Sequence, residues 1–175
     1  MYDTHYDKAA AHPPGYGYGR NIGTADTPRW VAERAFAPTS IIVHATHGHP
    51  GSSFRAEASF LRDSPDVSAH YLIGRDGFVT QILHPDAQAW HAGPCLVPFI
   101  NPHSIGIELH AAVTEPITQA QKDALAVLCT DLIARYGIDH AHINTHRAVA
   151  LPRGRKSDPA TWPAADFARW RATLP

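Results

Sequence analysis

The sequence predicts an α/β or α+β domain, built as a central mixed β-sheet flanked by helices. Short apolar runs of strand length alternate with helical patterns along the chain, and two of these runs flank a tight turn. The 175 residues suit one domain, and the chain contains no repeat or low-complexity linker. We therefore expect a single domain over residues 1–175, with residues 1–38, rich in Gly, Pro and Tyr, as an irregular arm packed on it.

The first half of the domain is predicted to supply a strand, a helix and a hairpin. Residues 41–44 form an apolar β-branched run typical of a buried strand, and residues 52–61 carry three apolar side chains at helical spacing. Residues 67–73 and 78–83 have strand character and flank Asp76-Gly77, which favours the positive φ of a hairpin turn.

The second half is predicted to contain a strand and a long capped helix. Residues 104–109 alternate, which places Ile105, Ile107 and Leu109 on one face of a strand. A helix over 118–136 begins with a Thr118–Gln121 capping box and ends at Gly137. The remaining predicted elements are a short strand at 142–144, a polar loop at 147–161 and a last helix opened by Pro163 that ends near residue 173.

Composition excludes several classes of function. The net charge is −1 and the isoelectric point is near 6.9, whereas a generic nucleic-acid binder is strongly basic. The N-terminus is not a secretory signal and no apolar stretch is long enough to cross a membrane, so we expect a chain that is cytoplasmic as synthesised and does not insert into a membrane. We expect a monomer. Cys95 and Cys129 can form at most one bridge, and two free thiols are the favoured interpretation.

Two histidines are the first candidates for metal ligands in a chain that has 13 of them. His44 ends the first predicted strand and is followed by a Gly-rich loop, a place where α/β proteins put ligating or catalytic side chains. His146 precedes a polar loop with Lys156-Ser157-Asp158-Pro159, which suggests nitrogen and oxygen ligands with a lysine nearby. Taken separately, each pattern also fits a core histidine or a solvated basic loop.

Together with other motifs, these residues indicate a family. The sequence resembles the zinc-dependent N-acetylmuramoyl-L-alanine amidases of type 2, which share a fold with the peptidoglycan-recognition proteins. Five motifs occur in the family's order and span most of the chain. They are Ile41-Ile42-Val43-His44, the segment Val67-Ser68-Ala69-His70 with its Arg75-Asp76-Gly77 turn, Ala89-Trp90-His91-Ala92-Gly93, Asn101-Pro102-His103-Ser104-Ile105-Gly106-Ile107-Glu108, and His146-Arg147 with Lys156-Ser157-Asp158-Pro159.

The resemblance implies a type 2 amidase fold and hydrolysis of the amide bond between N-acetylmuramic acid and L-alanine in peptidoglycan or muropeptides. It implies one zinc ion per chain, held by His44, His146 and Asp158, with a fourth position left for water. Glu108 would act as the general base, and Lys156 would stabilise the oxyanion.

Substrate contacts are implied at His91, Trp90 and Asn101. His91 fits a substrate contact and a local scaffold equally well, and Trp90 fits the core as well as a sugar platform. The chain departs from the family pattern at two positions. Ala69 stands where some relatives have a catalytic tyrosine, and Ala160 stands where a glycine usually follows the Asp-Pro pair.

Two biological roles fit this enzyme class. One is a phage or prophage endolysin that reaches the cell wall through a holin, and the other is a cytosolic enzyme that trims imported muropeptides. The short one-domain layout favours the endolysin. A peptidoglycan-binding module without catalysis is less favoured, because the full set of ligands and helpers is present. A regulator that binds an intracellular protein is also less favoured, because the sequence shows no dedicated partner surface.

Overall fold

The computed structural model of the chain describes residues 34–175, so residues 1–33 of the predicted arm lie outside the described residues. It contains one five-stranded sheet with helices packed on it. The strands are β1 (Ser40–Ala45), β2 (Tyr71–Ile73), β3 (Val79–Gln81), β4 (Ser104–Leu109) and β5 (Ile143–Thr145). The helices are α1 (Phe54–Asp63), α2 (Gln119–Tyr136), α3 (His146–Val149) and α4 (Ala164–Arg171). Short 3-10 turns at Asn101–His103 and His140–His142 precede β4 and β5.

The strand order is β3-β2-β4-β1-β5, with β3 antiparallel at one edge and the other four strands parallel. This arrangement confirms the predicted mixed sheet. In the register of β1 and β4, His44 lies opposite Glu108. On the other side of β1, strand β5 ends at Thr145, directly before His146. The carboxyl ends of three parallel strands therefore meet at one edge, the usual place for a site in such sheets.

The two faces of the sheet bury different clusters. On one face, α2 and α4 pack on the main core, which includes Leu109 and the two isoleucines of β4, as their alternation predicts. On the other face, α1 packs around Leu72, and the segment before β4 packs around Ile42. His44 and Glu108 alternate with the strand residues of the main core, so they point to the second face.

Local capping signals set the helix ends. The Thr118 hydroxyl accepts the backbone N–H of Gln121, while the Gln121 side chain accepts the backbone N–H of Thr118, which confirms the predicted capping box. Gly137 ends α2 in the left-handed region with φ 66°. Helix α1 starts two residues later than predicted, because the Ser53 hydroxyl accepts the backbone N–H of Ala56 as an N-cap.

The observed hairpin strands are shorter than the predicted ones. Strands β2 and β3 pair around Gly77, which has φ 86°, as the Asp-Gly signal predicts. The residues before β2 do not pair with β3, because their backbone N–H groups donate elsewhere, although the carbonyl of His70 accepts the N–H of Ile82 directly after β3. The N–H of Ser68 donates to the carbonyl of Trp90, and the N–H of His70 donates to that of Gly106.

The C-terminal part differs from the prediction at its start. The loop predicted over 147–161 begins with helix α3, whose single turn is too short to show a periodic pattern. The predicted strand at 142–144 is displaced by one residue as β5, and the predicted last helix corresponds to α4. Among the described residues, no helix combines the length and apolar character needed to span a membrane.

Candidate metal centre

Three side chains from distant parts of the chain meet at the carboxyl edge of the sheet. His44 comes from β1, His146 from the start of α3, and Asp158 from the loop after α3. Nδ1 of His44 lies 3.0 Å from Nδ1 of His146. Oδ2 of Asp158 lies 3.2 Å from the first nitrogen and 3.1 Å from the second. All three residues are buried, and they form a group of potential ligands within the part of the chain that the structure describes.

The geometry of these three atoms fits a zinc ion. Tetrahedral zinc has ligand distances of about 2.0–2.2 Å, which place neighbouring ligand atoms roughly 3.3 Å apart. The observed triangle, with sides of 3.0, 3.1 and 3.2 Å, is close to one face of such a tetrahedron. Two imidazoles and one carboxylate, with a fourth position open, are also the donor set of a catalytic zinc site. The residues present therefore fit the implied metal.

The remaining ring nitrogen of His146 supports this assignment. Nε2 of His146 lies 2.9 Å from the backbone carbonyl of Ala92. A carbonyl oxygen only accepts hydrogen bonds, so Nε2 carries a proton and Nδ1 is the nitrogen left to bind a metal. Arg155 donates to the same carbonyl at 2.9 Å and thereby holds the loop that supplies this acceptor.

The electrostatics of the centre favour a cation between the three side chains. Burial alone would raise the pKa of the Asp158 carboxyl, but its contacts with the ring nitrogens of His146 and His44 hold that pKa well below its usual range. Burial lowers the pKa of His44 to about 4, so this imidazole is neutral. Burial would likewise lower the pKa of His146, yet its bonds to Asp158 and Cys95 raise it. An ionised carboxylate with two imidazole donors thus stabilises positive charge at this point.

A cleft of about 230 Å³ opens above the three ligands, and Glu108 lines it. Among the described residues, Oε2 of Glu108 is buried and has no hydrogen-bond partner. Burial, together with repulsion from Asp158 and Glu57, raises the pKa of Glu108 to about 8. A carboxyl group with an unused oxygen beside a metal centre, and with a pKa near neutrality, is suited to proton transfer.

Lys156 lies in the same cleft, as predicted from its place two residues before Asp158. It is exposed, and its positive charge acts on both His44 and Glu108. The backbone carbonyl of Asp158 accepts the N–H of Arg147, which ties this loop to α3. The structure therefore brings the ligand set and both predicted helpers to one cleft, while their roles stay predictions.

The three predicted substrate contacts have different surroundings. Asn101 is buried, and its Oδ1 accepts the backbone N–H groups of His91 and Ala92, at 3.2 and 2.9 Å. Trp90 is 43% exposed, so its ring is accessible to a ligand. His91 lines the cleft, but its ring also contacts His44. These contacts favour a positioning role for Asn101, and substrate binding by the three residues stays a prediction.

The structure also places residues in the cleft that sequence reasoning missed. Glu57 of α1 is buried there, and Phe60 lies at the rim with 56% of its surface exposed. His47 follows β1 with φ 50°, and its Nε2 is buried without a partner among the described residues. The sequence contains one indication that Glu57 belongs to a site. Glu57 shares a helix face with Leu61 at i, i+4, and a charged residue on an apolar helix face is unusual.

Other polar candidates have structural contacts. Nδ1 of His70 accepts the backbone N–H of Gly106 at 2.9 Å, so this buried histidine joins the hairpin to β4. Cys95 and Cys129 are both free and buried, in line with two thiols rather than a bridge.

The comparisons with known proteins agree with this geometry. The family model described as N-acetylmuramoyl-L-alanine amidase (Amidase_2) matches residues 34–161. The 1,6-anhydro-N-acetylmuramyl-L-alanine amidase AmpD of Enterobacter cloacae is 40% identical over 129 residues, which cover 72% of this chain and 63% of that protein. The chain therefore spans less than two thirds of the length of this relative.

Solved structures show the same fold. The amidase AmiD of E. coli, in complex with the substrate anhydro-N-acetylmuramic acid-L-Ala-D-gamma-Glu-L-Lys, matches with a TM-score of 0.64 and 28% identity over 78% of this chain and 59% of that one. A mutant endolysin from Bacillus subtilis matches with a TM-score of 0.64 and 24% identity, over 82% of this chain and 90% of that one. The resemblance predicted from the motifs is thus confirmed, and the chain belongs to the N-acetylmuramoyl-L-alanine amidase family.

Proposed function

We propose that this protein is a zinc-dependent amidase that cleaves the bond between N-acetylmuramic acid and L-alanine in small anhydro-muropeptides. The observation that carries the proposal is the convergence of His44, His146 and Asp158 beneath a cleft that also holds Glu108 and Lys156. A bound zinc ion would supply Lewis-acid polarisation of the amide carbonyl and of water.

The chain's own residues account for the proton transfers. Oε2 of Glu108 accepts a proton from the attacking water, and the same carboxyl then donates it to the amine nitrogen as the carbon–nitrogen bond breaks. The ammonium group of Lys156 stabilises negative charge on the former carbonyl oxygen. With Ala69 in place of a tyrosine, Glu108 carries the general-base role.

The comparisons favour an enzyme that trims imported muropeptides, the recycling role, over the endolysin that the short one-domain layout favours. The relative at 40% identity is named for a 1,6-anhydro-muramyl substrate. The solved amidase at 28% identity is likewise named with an anhydro-muropeptide substrate. The endolysin match, at 24% identity, supports the fold alone. We therefore replace the endolysin as the main interpretation, and the cytoplasmic location and the monomeric state stay predictions.

The test is a comparison of two substrates with the zinc-loaded protein. We expect release of the peptide from anhydro-N-acetylmuramyl-tripeptide, much slower release from intact sacculi, and one zinc ion per chain in metal analysis. Extended chelation should abolish the activity, and zinc should restore it. Faster release from sacculi would favour the endolysin, and absence of cleavage of either substrate would contradict the proposal.

Replacing Lys156 with methionine should reduce kcat by about 10²–10³-fold, by analogy with the loss of one oxyanion-hole donor. Methionine retains an unbranched apolar stem but removes the charge that acts on the intermediate. Steady-state kinetics on the soluble muropeptide, together with metal analysis, would measure this loss at unchanged zinc content. Arg153→Met, an exposed cation in the same loop, is the matched control and should retain normal kcat. An equal loss in both variants would mean that general surface charge matters rather than Lys156.

A further inference from the structure

His91 lies against His44 on the side of the ring that faces away from the ligand triangle. Its Nδ1 is 3.0 Å from Nε2 of His44, and the two rings meet edge to face with centroids 5.1 Å apart. The other nitrogen of His91, Nε2, lies 3.2 Å from Oγ of Ser104. The Ser104 hydroxyl in turn lies 3.0 Å from the backbone carbonyl of Ile100. These groups form a continuous chain of polar contacts that ends at His44.

The backbone carbonyl at the end of this series of contacts determines the direction of the hydrogen bonds within it. The carbonyl of Ile100 only accepts, so the Ser104 hydroxyl donates to it and its oxygen remains an acceptor. His91 therefore donates from Nε2 to Ser104, which leaves Nδ1 of His91 as an acceptor. Nδ1 of His91 then accepts the proton on Nε2 of His44. This contact favours the tautomer of His44 whose Nδ1 carries a lone pair directed at the ligand triangle, while Oδ2 of Asp158, 3.2 Å from that Nδ1, is the competing acceptor in the absence of zinc.

Packing holds the His91 ring in this place. The ring lies on Gly106, where a Cβ would come within 2.5 Å of its Cγ, so β4 has a gap that seats the imidazole. The backbone N–H of His91 donates to Oδ1 of Asn101 at 3.2 Å, which positions the main chain. Both contacts are independent of any substrate.

We propose that His91 is a positioning residue that holds His44 in the metal-ligating tautomer through the chain His44–His91–Ser104. This deepens the proposed function, because it rests on the same zinc site, but it does not depend on the identity of the substrate. Partners of this kind fix the orientation of a ligand histidine, and their loss typically weakens metal binding by roughly 10–100-fold.

The test measures zinc affinity by competition with a chromophoric chelator. His91→Phe retains an aromatic ring without an acceptor and should weaken zinc binding by about 10–100-fold. In His91→Asn the amide oxygen takes the place of Nδ1 as acceptor, and this variant should recover most of the affinity. His142→Phe is the matched control, because that half-buried histidine packs on Phe99 and lies outside the cleft.

A second readout separates this role from a purely structural one. In the zinc-free protein labelled with ¹⁵N-histidine, Asp158 and His91 compete for the proton of His44, and NMR should show a large share of that proton on Nε2 in the wild type and in His91→Asn. In His91→Phe the share of His44 protonated on Nε2 should fall, because only Asp158 then accepts its proton. A scaffold role would lower the melting temperature without changing the tautomer of His44.

Wild-type zinc affinity in His91→Phe, with His44 still protonated on Nε2, would overturn the proposal. If His91→Phe does not fold, Ser104→Ala replaces it and should also lower the share of His44 protonated on Nε2, because His91 loses the acceptor for its own Nε2 proton. An unchanged tautomer in Ser104→Ala would then be the contradicting result. Neither readout uses the muropeptide, so a failure of the proposed amidase activity would leave the outcome interpretable.

Discussion

Replacing Asp158 with alanine should abolish zinc binding and hydrolysis together, the largest effect we expect from one substitution. Asp158 is the only carboxylate of the ligand triangle, and its Oδ2 lies 3.1 and 3.2 Å from the two histidine nitrogens. Without it, two neutral imidazoles remain and the site loses the negative charge that balances the ion. Zinc affinity should fall by more than the roughly 10–100-fold that is lost when a residue hydrogen-bonded to a metal ligand is replaced.

Metal analysis and a zinc titration would measure this effect beside the activity assay. Asp158→Asn keeps the shape of the side chain and serves as the variant in which folding is least disturbed. Asp123→Ala removes an exposed aspartate of α2 and is the matched control for loss of one negative charge. Retention of one tightly bound zinc ion in both Asp158 variants would contradict the assigned ligand set.

Replacing Glu108 with glutamine should reduce kcat by about 10²–10⁴-fold at unchanged zinc content, because the variant keeps the shape but does not accept a proton. The pH profile gives a second signature. Burial raises the pKa of Glu108 to about 8, and the base must be ionised, so wild-type kcat/KM should increase with pH up to about this value. The positive charge of bound zinc lowers the pKa of Glu108, so this rise in kcat/KM moves to lower pH. This rise should be absent in Glu108→Gln.

The raised pKa of Glu108 predicts that its ionised form destabilises the fold. Its pKa in the folded protein lies above the ordinary value of 4.5, so the native state retains a proton that the unfolded chain releases between about pH 4.5 and 8. Stability is therefore lost as the pH rises through this range. The glutamine variant avoids this loss, and without zinc its melting temperature at pH 8 should be at least that of the wild type.

Glu115→Gln is the matched control, because it also replaces a carboxylate with an amide but lies outside the metal cleft. A near wild-type kcat in Glu108→Gln with zinc bound would rule out the general-base role. Loss of zinc in that variant would mean that Glu108 belongs to the ligand set.

Much of the fold could be predicted from the sequence because its signals are local. The Asp-Gly turn at Gly77, the Thr118–Gln121 capping box and the end of α2 at Gly137 all depend on contacts between residues close in the chain. Alternation alone placed the apolar residues of β4 in the main core. The ligand set, by contrast, came from the family resemblance, since nothing local relates His44 to Asp158.

The tertiary structure alone decided which side chains share the cleft and what each one contacts. Strand β1 lies between β4 and β5, which places Glu108 opposite His44 and His146 beside it. The same packing seats His91 on Gly106 against His44 and turns Glu57 into the cleft. These contacts join segments tens of residues apart, and long-range packing leaves no periodic or spacing signal in a single sequence. The sequence by itself therefore determined the elements and the family, while the order of the strands determined the chemistry of the site.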